Sequence, residues 1–174
     1  MTKRNLKKMV LAALFLSLGI VLPLLTSQIK EIGDTLLPMH LTVMLCGFLC
    51  GWQYGLTVGF ILPFLLFFIF GMPPVYPNAV WMAFELATYG FLTGFLILFF
   101  KKINIVNLYL SLICAMLGGR VVWGITKSIL LGISGNSFTF VAFITGGFLD
   151  ALPGIILQLI LVPGIVSIIY KNKI

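Results

Sequence analysis

Apolar runs long enough to cross a lipid bilayer follow one another along the chain, separated by short polar breaks. A helix needs about 20 apolar residues to span the hydrocarbon core. By that measure residues 9–27 form a first span, kinked or ended near Pro23, and 36–51 a second, short one. Residues 54–70 form a third span after a tight turn at 52–53. The segment 79–100 makes a fourth and 107–132 a fifth, while 138–170 contains a sixth that Pro153 and Pro163 bend. The breaks have turn chemistry. GMPPVYPN at 71–78 holds three prolines, which remove donors and fix the backbone. The expectation is an all-α integral membrane protein, a bundle of six transmembrane helices forming a single transmembrane domain over 1–174.

Composition supports lipid as the solvent. Hydrophobic residues make up 61% of the 174 and charged residues 9%, against about 25% charged in soluble domains. No soluble domain large enough to act alone remains. The first apolar segment is read as a retained helix, because no A-x-A cleavage site follows it.

The net charge of +7 tempts a nucleic-acid reading, but the placement of the charges argues otherwise. Lys3, Arg4, Lys7 and Lys8 precede the first run, Lys101 and Lys102 lie between two runs, and Lys171 and Lys173 follow the last. Opposite them stand Lys30 and, at a helix end, Lys127. That bias places both termini in the cytoplasm. The connections at 28–35, 71–78 and 134–137 then face outward. Cys46, Cys50 and Cys114 sit inside apolar runs without zinc spacing or a disulfide pattern.

Ionisable groups inside a membrane are costly and usually functional. Here they are Glu85, Arg120, Lys127 and Asp150, with His40 as a fifth. At the helical rise per residue Glu85 lies about 10 Å below the outer surface, Arg120 about 20 Å up from the inner one and Asp150 about 15–18 Å deep. Trp81, Tyr89 and Trp123 occupy similar levels. An aromatic-walled polar cavity, open to the outside and suited to a small polar molecule, is the expected site. Other roles compete. Arg120 with Glu85 or Asp150 makes a structural ion pair, His40 bonds a backbone group, and the aromatics anchor the interface.

Catalytic chemistry finds little support. Gly132-Ile133-Ser134-Gly135 matches the string of intramembrane serine proteases, yet such an enzyme needs a neighbouring histidine base, and His40, the chain's one histidine, lies in a distant segment. The stretch 119–128 (GRVVWGITKS) lacks the Gly-Lys pair of a phosphate-binding loop, so ATP-driven work must come from other subunits. The chain is not expected to be an enzyme or to carry a cofactor or metal. On the first helix, Ala13 and Ser17 form a small-x-x-x-small face that permits close helix approach, within the chain or to a partner.

Three strings carry a resemblance: LPMHLTVMLCGFLCG at 37–51, FGMPP at 70–74 and AFELATYG at 83–90. With the six spans and the basic N-terminus, they make most of the chain similar to the substrate-binding S component of energy-coupling factor (ECF) vitamin transporters. The resemblance implies a subunit of a bacterial plasma-membrane uptake system that binds a water-soluble vitamin or precursor near the outer face, under the first and third outward loops and between helices four to six. It implies as partners an ECF transmembrane coupling protein and two cytoplasmic ECF ATPase subunits. The family's alanine-x-x-x-alanine contact motif maps onto Ala13 and Ser17, the serine being a departure. Within this frame the expected ligand-binding residues are His40, Trp81, Glu85, Tyr89, Arg120, Trp123, Lys127 and Asp150. Arg120 suits a carboxylate, which favours pantothenate. Glu85 and Asp150 suit the ring nitrogens of pyridoxine or hydroxymethylpyrimidine. A standalone facilitator or channel for a small polar solute is the alternative.

Overall fold

The structure, a computed structural model, describes residues 3–26, 37–100 and 104–171. Among them every regular element is helical, as a lipid solvent requires of any open-ended chain, since a helix bonds its own backbone groups internally. In chain order the elements are α1 (Lys3–Thr26), α2 (Pro38–Cys50), α3 (Trp52–Phe70), α4 (Val80–Phe99), α5 (Ile105–Ile133), α6 (Phe140–Ile144) and α7 (Leu152–Lys171). A wide π turn at Val75–Ala79 leads into α4, and a second at Thr145–Leu149 follows α6. The expected connection at 28–35 and the lysines at 101, 102 and 173 lie outside the described residues.

Among the described residues five helices are long and apolar enough to cross a membrane: α1, α3, Val75–Phe99, α5 and α7. The other two differ in kind. α2 has 13 residues and extends roughly 20 Å. It is buried from Thr42 through Cys50 because α1, α3 and α4 pack around it. A helix sheathed by protein must be apolar on every side, which is why 36–51 reads as a span although it is short. The last expected segment is not one uninterrupted helix: α6 and its π turn are separated from α7 by turn residues Asp150 and Ala151.

Pro23 lies inside α1, which continues to Thr26, next to the expected end of the span. One local expectation needs correction. The turn between α2 and α3 falls at Gly51, whose φ of 105° suits glycine, so α3 already begins at Trp52. Gly71, at φ 74°, stops α3 and donates its N–H to the Phe67 carbonyl at 2.7 Å, the usual left-handed helix ending.

Small residues set the helix spacing. A Cβ on Gly90 would run into the backbone of Gly55, and one on Gly47 into Thr93 and the Gly90 carbonyl. α2, α3 and α4 therefore meet backbone to backbone, the contact that small residues allow in membranes. α1 packs inward through Ala12, Phe15 and Gly19, while Ala13 and Ser17 are exposed on another side of the helix. The Ser17 hydroxyl donates to the Ala13 carbonyl at 3.0 Å. Of the two uses open to that face, packing within the described chain is not the one it serves. Tyr170 ties α7 to the C-terminal end of α2 through a 2.9 Å bond from its hydroxyl to the Phe48 carbonyl.

Candidate ligand site

α4 and α5 pack against each other and bring their polar residues level with one another. Glu85 faces Arg120, with Nη1 donating to Oε1 at 2.9 Å. The Tyr89 hydroxyl, one turn along α4, donates to the same oxygen at 3.3 Å. From α2, His40 Nε2 stands 3.3 Å from Oε1, and its ring meets Tyr89 edge-on at 5.2 Å between centroids. All four side chains are buried: Glu85 and Tyr89 are 2% exposed, His40 3% and Arg120 6%. A carboxylate and a guanidinium so enclosed hold each other's charge, since either one alone would be left unpaired in an apolar interior. Gly119 makes the arrangement possible, because a Cβ there would come within 2.6 Å of the Tyr89 ring.

His40 is incompletely satisfied. Its Nε2 lies at ion-pair distance from Glu85, and neither ring nitrogen has a hydrogen-bond partner among the described residues. It bonds no backbone group, so that competing role is not realised. His40 also lines a cavity of about 520 Å³, walled chiefly by Pro23, Leu37, Met39, Phe70, Met72 and Met82. Of the four clustered residues His40 alone reaches it.

One turn along α4 and two along α5 a second group forms. The Lys127 ammonium lies 5.0 Å from the Trp81 ring centre, 4.6 Å from Trp123 and 5.3 Å from Phe138, within the range of cation–π attraction. Trp123 is held between Phe138, edge-on at 5.7 Å, and Phe143 at 6.0 Å. Gly146 and Gly147 of the second π turn pack against its ring, their Cβ positions falling 3.4 Å from it. Near that end Tyr76 closes the loop onto α5, its hydroxyl 3.1 Å from the Leu130 carbonyl and 3.0 Å from Ser134 Oγ.

The eight residues expected at the site therefore divide. His40, Glu85, Tyr89 and Arg120 meet in one cluster, and Trp81, Trp123 and Lys127 in the adjoining one. Asp150 joins neither; it is exposed in the turn before α7. The single aromatic-walled polar cavity resolves into separate parts: the aromatics surround Lys127, while the cavity beside His40 is walled mainly by aliphatic and thioether groups. Phe138 and Gly119 were not anticipated. A glycine directly across from an inward tyrosine was the available signal for Gly119; Phe138 gave none in a chain with 14% aromatic residues. Among the described residues no group of three metal-ligating side chains occurs.

A bundle of apolar helices with buried ionisable residues gathered between α2, α4 and α5 defines a multi-pass membrane protein with the makings of a polar binding site. The family can be stated more closely. Residues 7–166 match the family described as ECF transporter, substrate-specific component, and the chain belongs to it. It is thus a substrate-specific membrane subunit of an ECF transporter, a transporter subunit and not an enzyme, and the resemblance carried by 37–51, 70–74 and 83–90 is borne out. No curated protein and no solved structure matches the chain at a significant level.

Proposed function

We propose that this chain captures a small water-soluble vitamin or vitamin precursor from outside a bacterial cell. It then delivers that ligand through a membrane coupling protein driven by two ATPase subunits. The whole chain serves as one membrane domain with both termini in the cytoplasm. The His40–Glu85 end of the bundle then faces outward. The observation that carries the reading is His40: a buried ring whose nitrogens make no hydrogen bond to any described residue, Nε2 being only at ion-pair distance from Glu85, beside a cavity of about 520 Å³. Leaving a buried polar group unsatisfied costs about 1–3 kcal/mol, which a ligand donor or acceptor would recover. The volume lies within the usual range for small-molecule sites.

The engaged Arg120 weakens the case that its guanidinium selects pantothenate. Its Nη1 is bonded to Glu85, so a carboxylate ligand would compete with that partner. Pyridoxine and hydroxymethylpyrimidine, whose ring nitrogens suit His40, stand on an equal footing with it.

Thermal denaturation of the purified chain with a panel of water-soluble vitamins and precursors tests the reading. A ligand at about 1,000 times its Kd stabilises by about 4 kcal/mol. Uptake is measured in parallel, in cells expressing the chain with or without a coupling protein and two ATPases. Tight binding with accumulation only in the full complex is expected. Equilibration of solute across vesicles containing the chain alone would instead establish the facilitator.

A further inference from the structure

The two cationic side chains on α5 are not equivalent. Arg120 is buried against Glu85 at 2.9 Å. Lys127, two turns further along, makes no ion pair with any described carboxylate and faces three aromatic rings instead. Of the acids among the described residues, Glu85 is bonded to Arg120, and Asp150 sits in the turn before α7. Among the described residues the two adjoining groups together therefore carry one uncompensated positive charge, and that charge is on Lys127.

We propose that Lys127 is the anion-recognising group of the ligand site, and that the ligand carries a carboxylate or comparable acidic group which pairs with this ammonium. The inference rests on the function proposed above and names the ligand class of the same site. Trp81, whose ring meets the ammonium, lies one helical turn, roughly 6 Å, beyond Glu85 on α4, and Lys127 itself lies two turns, roughly 10 Å, beyond Arg120 on α5. A ligand about 10 Å long therefore reaches the ammonium with its acid while its other end meets His40. The rings of Trp81, Trp123 and Phe138 prepare the ammonium for this. Their negative faces hold it in place without providing a counter-ion, so an arriving carboxylate meets a half-buried, partly desolvated cation. A flat ligand body gains further by lying against Trp81 or Trp123. The same fixed cation rejects positively charged ligands. In a ring of aromatics without Lys127 a quaternary amine would be favoured; here the place is taken.

Trp81 and Trp123 report on the contact directly, because movement of the ammonium off their faces alters indole fluorescence. The third tryptophan, Trp52, lies against Phe91 at 5.6 Å at the far end of α3 and reports nothing. The probes are acid and amide pairs: nicotinate and nicotinamide, biotin and biotin amide, lipoate and lipoamide, with pantothenate against panthenol. Thiamine and choline serve as cations. At least one acid should bind the purified chain, shift its fluorescence and bind about 30-fold or more tighter than its neutral partner, the effect of truncating one side of a buried charge pair. Lys127→Met should abolish that preference, and Lys127→Arg should retain most of it. Equal binding of acid and neutral partner by the unaltered chain overturns the inference, as does preferential binding of a cation or silence of every acid. The transport reading fails by a different result, the absence of any uptake dependent on the coupling protein and ATPases. A neutral vitamin taken up through the complex would thus refute the role of Lys127 and leave the proposed function standing.

Discussion

Glu85 accepts from Arg120 and Tyr89 through a single oxygen, with His40 close to the same atom. In an interior this dry the value of the pair shows when one member is removed. Arg120→Met should lower the stability of the ligand-free protein by about 3–5 kcal/mol, because the Glu85 charge is left uncompensated. Arg120→Met combined with Glu85→Gln should restore most of it. Melting temperatures of the two single variants and the double, without ligand, check this; additive losses would show that the two residues do not depend on each other. Gly119→Leu should disturb the same cluster from behind by forcing the Tyr89 ring out of place. The residues of this cluster were legible in the sequence because a charge is conspicuous in an apolar run. Their partners were less so, since depth along a helix says nothing of the direction a side chain points. Asp150 shows the limit: it counts to a level similar to Glu85 and Arg120, yet sits exposed in a turn.

At the scale of helices, apolar length revealed the five spanning helices but could not tell lipid from protein as the surrounding medium. α2 is apolar because α1, α3 and α4 surround it, and its 13 residues are the one clue to that difference. Pro23 lies inside α1 and Pro163 inside α7, as membrane helices tolerate when neighbours satisfy the freed carbonyls. Small residues likewise have two uses that the sequence does not separate. Gly90 meets the backbone of Gly55 inside the bundle, whereas Ala13 and Ser17 lie exposed on α1. Substitution distinguishes them. Gly90→Leu should prevent correct folding, seen as loss of the monodisperse peak in size-exclusion chromatography. Ala13→Leu and Ser17→Leu should leave folding and ligand binding intact and weaken co-purification with a coupling protein, because a bulky side chain blocks close helix approach. Undiminished co-purification of both variants would exclude this face from the contact.

For the whole molecule the decisive question is orientation, because it determines whether the ligand end meets the outside. The exposed basic residues Lys3, Arg4 and Lys7 open α1, and Lys171 closes α7. The ligand-site end of the bundle carries Lys127, whose charge is held against aromatic rings. Basic residues flanking spans are retained on the cytoplasmic side during insertion, and on that ground the orientation proposed here has both termini inside and the His40–Glu85 cluster and Lys127 facing outward. The native cysteines do not obstruct a labelling test once Cys114, the exposed one, is replaced by serine, since Cys46 and Cys50 are buried. In that background single cysteines at positions 3 and 173 should resist a membrane-impermeant maleimide in intact cells and react after permeabilisation. A cysteine at exposed Asn136, between α5 and α6, should react in intact cells. Rapid labelling at position 3 with protection at position 136 would invert the molecule and turn the candidate ligand site toward the cytoplasm, where a subunit for uptake could not use it.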